Sequence, residues 1–128
     1  MISTIVASTS AVLLCAAGLP LLFAADVILP RIIPGFPIAS SWLGQLLAAG
    51  WLSVALFNWN SRHTVLGGIY GRPSVNLNLV VYIVSGLALL KAREATLAVR
   101  AIAVPFVAMA VVYGVLLFRG PLDRPVDR

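Results

Sequence analysis

The sequence predicts an all-α membrane protein, with four transmembrane helices packed in a single up-down bundle, and three observations predict it. Of 128 residues, 61% are apolar and only 10% charged, with a mean hydropathy of +1.03. A soluble globule of this size buries only about two thirds of its surface, so water cannot be the solvent for so much apolar area. The apolar residues also fall into long runs broken by proline, glycine and charge. A spanning helix needs about 20 such residues, which leaves room for four passes, short connections and no soluble domain beside them.

The first helix is expected from about Thr4 to Leu29, with Pro20 inside. Proline removes one backbone donor and kinks a helix, a defect that membrane bundles absorb when neighbours serve the freed carbonyl. Leu13 to Phe23 has the apolar character of a secretory leader, and small residues follow it at Ala24 and Ala25. A leader carries a positive charge before its apolar core, and none precedes Arg31. The segment is therefore expected to be retained as a helix. The stretch Pro30-Arg31-Ile32-Ile33-Pro34-Gly35-Phe36-Pro37 then reads as a non-helical connector at the interface.

The second helix is expected from about Ser40 to Trp59, with Ser40 or Ser41 as its cap. Trp42 and Trp59 lie ~26 Å apart along it, close to the ~30 Å hydrocarbon thickness, which suits tryptophans anchored in both interfaces. Ordinary packing aromatics are the alternative. A third helix is expected from about Ser74 to Leu90, started by Pro73. The fourth runs from about Ala95 to Phe118, with Pro105 inside. Arg119-Gly120-Pro121 closes it with a cation on the helix dipole, a capping glycine and a proline. Residues 119–128 form a polar tail.

Charge and composition narrow the function. The net charge of +5 arises from basic residues placed singly at the ends of apolar runs, and no basic cluster with interleaved aromatics suggests nucleic acid. Cys15 is the only cysteine, His63 the only histidine, and two of the four acids, Asp123 and Asp127, lie in the tail. Three or four converging metal ligands are therefore not to be expected, nor any cofactor held by them. Asp26 and His63 belong at opposite membrane faces, which argues against a Ser/His/Asp set. A non-enzyme is expected.

Candidate functional residues fall in three groups. Asp26, Gln45 and Arg100 lie at similar depth near one membrane face, and an ionised group within a span usually has a partner. An Asp26–Arg100 contact, direct or through Gln45 or water, is expected; Arg100 reaching to the headgroups is the alternative. Asn78, Tyr82 and Ser85 recur at helical spacing on helix three, a polar stripe that must turn inward or toward a partner because lipid cannot hydrogen-bond it. Asn58, Trp59, Arg62, His63, Tyr70 and Arg72 frame the longest and most polar connection, whose glycines permit close backbone approach. It could grip lipid phosphate or a partner's carboxylate, or be simply a tight interfacial turn; it is no phosphate-binding loop of the Gly-Lys-Ser/Thr type. Small residues at Ser3, Ala7, Ala11 and Cys15, and at Ser40, Gly44 and Ala48, mark close helix packing.

At Asn58-Trp59 and Leu66 through Pro73, with its Gly-Gly-Ile-Tyr-Gly-Arg-Pro stretch, and at the preceding Gln45, the chain resembles a family of small bacterial four-helix membrane proteins. In size and number of passes it is similar, more loosely, to DoxX-like proteins. The resemblance implies the fold and supplies no reaction. The expected function is a non-catalytic accessory or scaffold subunit of a bacterial membrane complex, with membrane lipids and other transmembrane subunits, or copies of itself, as partners. The alternative is a binder or carrier of a lipophilic small molecule, a quinone or lipid, between helices two, three and four. A small oligomeric transporter ranks third, because it needs a polar path from face to face and only scattered polar residues are visible. The expected site is the bacterial inner membrane with both termini cytoplasmic, from five basic residues on the terminal side against four opposite.

Overall fold

A computed structural model describes residues 1–93 and 96–121. Four long helices make up the chain: α1 (Ile2–Ile32), α2 (Trp42–Asn60), α3 (Arg72–Lys91) and α4 (Leu97–Arg119). A single 3₁₀ turn at Ile38–Ser40 precedes α2, and no strand occurs among the described residues. Each helix is long and apolar enough to cross a membrane. The protein is an all-α, multi-pass membrane bundle. Large apolar side chains such as Val12, Leu46, Val80 and Val104 are exposed on its outer faces, where hydrocarbon takes the place of water.

The bundle is two hairpins laid side by side. In the first, α1 packs closely on α2; in the second, α3 packs closely on α4; between hairpins the helices touch much less. Small residues set the close pairs. A Cβ on Gly44 would sit 2.7 Å from Leu29 Cδ1, and one on Gly18 3.0 Å from Leu52 Cγ. In the second hairpin, a Cβ on Gly86 would meet Val107 Cγ2 at 3.1 Å. Without a hydrophobic effect between helices in lipid, this backbone proximity supplies the dispersion energy that holds them. The inward line on α1 runs Ala7, Ala11, Leu14, Gly18, Leu21 and Ala25. It therefore follows a mixed three-and-four spacing, and Cys15 of the expected small-residue series falls beside it, half-buried.

Several element boundaries differ from expectation. The first helix continues through Pro30 to Ile32, so the connector begins at Ile33; the Ile33 N–H still closes the last turn on Leu29 O at 2.9 Å. The break in α1 comes instead at Ala24, with φ −141 and ψ 33, one turn beyond Pro20. Helix α2 starts at Trp42, and Ser41 does not cap it: its hydroxyl donates back to Ile38 O at 2.7 Å. The third helix starts at Arg72, two residues early. The start expected at Ala95 and the tail beyond Pro121 lie outside the described residues; α4 is described from Leu97.

With four passes, Met1, Pro121 and the connection 61–71 lie at one end of the bundle, the terminal end. The connection 33–41, the end of α3 and the start of α4 lie at the far end. Leu66 plugs the terminal end, 1% exposed, and its N–H donates to Ser3 Oγ at 3.0 Å. Two glycines fold this connection. Gly67 has φ +87, and a Cβ on it would meet the Gly120 and Pro121 backbone at 2.8 Å. A Cβ on Gly71 would collide with the Val65 carbonyl. At the far end, Thr96 Oγ1 donates to Ile32 O at 3.0 Å and ties the start of α4 to the end of α1.

Candidate functional site

The two halves of the bundle have opposite characters. In the terminal half, polar side chains from three helices converge and are fully buried. Asn58 of α2 and Asn78 of α3 face each other as a reciprocal amide pair, each Nδ2 donating to the other's Oδ1 at 2.7 Å. The remaining Asn58 N–H donates to Ser10 Oγ of α1 at 2.8 Å, and that of Asn78 to Ser74 O at 2.9 Å. Ser10 Oγ lies 3.1 Å from Asn78 Oδ1 and 2.7 Å from the Tyr82 hydroxyl. Tyr82 also lies within 3.2 Å of Ser10 O. One set of donors satisfies the group: the Ser10 hydroxyl donates to Asn78, and the Tyr82 hydroxyl to Ser10. All four amide protons are then used, and no amide proton is left facing hydrocarbon.

An aromatic stack continues the cluster toward the middle of the membrane. Tyr82 stacks on Tyr113 of α4, centroids 5.8 Å apart and planes 14° from parallel, and meets Phe106 edge-on at 5.5 Å. Phe106 in turn packs on Trp51 of α2 at 5.0 Å. Trp51 Nε1 donates to Ser85 Oγ at 3.2 Å, bridging α2 to α3. Among the described residues, the buried Ser74 Oγ makes no hydrogen bond, and the Tyr113 hydroxyl has none of good geometry, with Ser10 the polar group acting on it.

Beyond Trp51 the hairpins part. An apolar cleft of ≈ 790 Å³ opens between them and runs to the far end, with walls from all four helices. Trp51, Ser85 and Phe106 close its inner end; Leu29, Ile32 and Leu89 line it further out; Arg93 stands at its mouth. Pro20 and Pro105 both form part of its walls, each with the alanine four residues earlier, Ala16 and Ala101. Its volume lies within the range of about 300–1,000 Å³ usual for small-molecule sites, and its lining is apolar with a few polar points, as such sites require.

The structure redistributes the expected site residues. It brings Asn58, Asn78 and Tyr82 together in the polar cluster and puts Ser85 on the cleft. Asn58 therefore belongs to the bundle interior, 0% exposed, and not to the connection that follows. Asp26, Gln45 and Arg100 are exposed, and none makes an ion pair or hydrogen bond through its side chain among the described residues. The Asp26–Arg100 contact expected, direct or through Gln45, is not formed among the described residues. On α1 the inward residues at that level are Ala25 and Leu29, and on α4 they are Val99 and Ala103. Asp26 and Arg100 each follow an inward residue by one position, about 100° around the helix, and so turn outward. Depth alone would have allowed them to meet; helical phase does not.

The connection residues stay at the surface. Arg62 lies over the Trp59 ring, 4.3 Å from its centroid, and donates to Trp59 O at 2.6 Å. Trp59 and Trp42 are both about half exposed at the two ends of α2, as interfacial anchors require. His63 and Arg72 are exposed, and Tyr70 is 89% exposed. Ser10, Trp51 and Phe106 are the contributors that sequence reasoning missed. No family model, curated protein or solved structure matches the chain.

The polar cluster yields a test of its own. Asn78→Leu leaves both Asn58 and Ser10 short of partners in a medium that offers none, at an expected cost of about 1–3 kcal/mol. The double variant Asn58→Leu/Asn78→Leu removes both halves of the amide pair and should cost clearly less than the two single changes added together. Thermal unfolding in mild detergent reads both; strictly additive losses would show that the two amides are not coupled.

Proposed function

We propose that this protein binds a lipophilic small molecule, a lipid or quinone, in the cleft between its two hairpins. The observation that carries the reading is the cleft itself: ≈ 790 Å³, bounded by all four helices, with hydrogen-bonding groups confined to its inner end and its mouth. Close packing is the rule for protein interiors, and voids larger than a water molecule are few. A gap of this size in a bundle whose other half is tightly packed is a place for a guest. A chain resting there would gain dispersion contacts that the walls otherwise lack.

The accessory-subunit reading draws support from the exposed apolar helix faces, which lipid covers equally well. No feature of the described residues marks one face as a partner's. The cleft has lining, depth and polar points, and it therefore takes precedence. Gln45, Asn78, Tyr82 and Arg100, expected to form such a site, do not line the cleft; of the expected residues Ser85 does, together with Trp51 and Phe106.

We also propose that the protein sits in a bacterial inner membrane with the terminal end in the cytoplasm. The support is charge: Arg62, Arg72 and Arg119 with the tail's Arg124 and Arg128, against Arg31, Lys91, Arg93 and Arg100 at the far end. A fluorescent protein fused at the C-terminus folds only in the cytoplasm, so bright cells are expected and dark cells would reverse the orientation.

Narrowing the cleft tests the main reading. Mass spectrometry of an organic extract of the purified protein should find a lipophile near one molecule per chain. Ala88→Phe, which adds a ring to the cleft wall, should lower its occupancy at least fivefold, while Val80→Phe on an outer face should leave it unchanged. Equal occupancy in the two variants, or no bound lipophile in any, would remove the proposal.

A further inference from the structure

We infer that the guest enters polar end first, and that its head is an uncharged ring bearing a carbonyl or hydroxyl oxygen, seated against Trp51 and Ser85. This rests on the cleft being a ligand site and adds which end of the ligand goes in.

Three features of the inner end point to such a head. Ser85 Oγ accepts the Trp51 indole N–H, yet its own proton has no acceptor among the described residues. Helix serines usually discharge that proton onto the carbonyl four residues back, as Ser53 and Ser61 do at 2.7 and 2.8 Å. Ser85 does not, and it lines the cleft with a donor to offer. Next, Pro20 and Pro105 bring no N–H to the carbonyls of Ala16 and Ala101, and all four residues line the cleft. Near Trp51 the Ala16 carbonyl of α1 thus lacks its usual helical donor and can accept from a hydroxyl; the Ala101 carbonyl, next to Arg100 on α4, lies further out toward the mouth. Finally, the Trp51 indole, backed by the buried Phe106 ring at 5.0 Å with the planes tilted 45°, gives the inner end an aromatic side that a flat ring can meet.

The charge of the head follows from what is missing there. Arg93 at the mouth is the only ionisable side chain on the lining among the described residues, and it lies beyond the end of α3, more than one helical turn from Ser85. An anionic head at the inner end would be buried without a countercharge, which an apolar site does not tolerate. A phospholipid would have to enter chain first and leave the Ser85 proton facing methylenes. An uncharged oxygenated ring satisfies that proton, and its apolar tail then follows the wall of Leu29, Ile32 and Leu89 toward the mouth.

The test uses the full chain in detergent with Trp42→Phe and Trp59→Phe, so that Trp51 is the sole tryptophan. A decyl-substituted benzoquinone should quench it saturably, and decylbenzene, with the same tail and a ring without oxygens, should compete about tenfold more weakly. Ser85→Ala should weaken the quinone about fivefold to tenfold, as the loss of one neutral hydrogen bond implies; Arg93→Gln should not. Equal binding of quinone and decylbenzene to the unaltered chain would overturn the inference, whatever the variants do. Saturable quenching by a bromostearoyl phosphatidylglycerol that the quinone fails to displace would overturn it too, while leaving the cleft as a ligand site. If neither probe quenches saturably, both the inference and the proposal beneath it fall.

Discussion

Hydrocarbon offers no hydrogen bonds, and the Asn58–Asn78 amide pair is where this protein meets that constraint. Two amides, two hydroxyls and a backbone carbonyl satisfy one another inside a site from which water and lipid are both excluded. The cluster draws on α1, α2 and α3, so it joins the first hairpin to the second. Elsewhere the hairpins meet sparsely, through the Trp51–Ser85 bridge, the Thr96–Ile32 bond and the Trp51–Phe106 ring contact. The relative placement of the two halves of the chain therefore depends on a handful of polar atoms.

That dependence explains the asymmetry of the bundle. Where the cluster holds them, the hairpins close, and Leu66 and the glycine-turned connection seal the end. Past Trp51 no polar group pulls the hairpins together. Small residues are spent on packing within each hairpin, at Gly18, Gly44 and Gly86, and not between them. The break at Ala24 interrupts α1 in the same region, and Pro20 and Pro105 stand in its walls. A gap is the physical result, and a bilayer supplies molecules fit to fill it.

Much of the fold could be read from the residues, because apolar run length and proline placement are one-dimensional signals. The Asn78–Tyr82–Ser85 stripe was legible for the same reason: helical spacing alone puts all three on one face. Other parts were not. Asn58 stood at the edge of a polar connection and looked like part of it, although α2 continues through Asn60. Ser10 sat among small residues whose obvious role was close packing. Trp51, in the middle of an apolar run, carries no local mark that separates a cleft wall from ordinary core. The Asp26–Arg100 pairing failed because depth in the membrane was inferred from sequence position while rotation about each helix axis was not. The cleft itself arises from what two hairpins fail to fill, and no single segment encodes that.

The central claim is that the hairpins are fixed at one end and separable at the other. Spin-label distances in lipid nanodiscs test it directly, in a Cys15→Ala background. The pair Ile5→Cys with Leu77→Cys reports the terminal half, and Val27→Cys with Leu87→Cys the cleft half; all four positions are on exposed faces. The terminal pair should give one narrow distance that added lipophile leaves unchanged, while the cleft pair should give a broader distribution that narrows or shifts on addition. Two equally narrow and unresponsive distributions, or movement in the terminal half instead, would contradict the account.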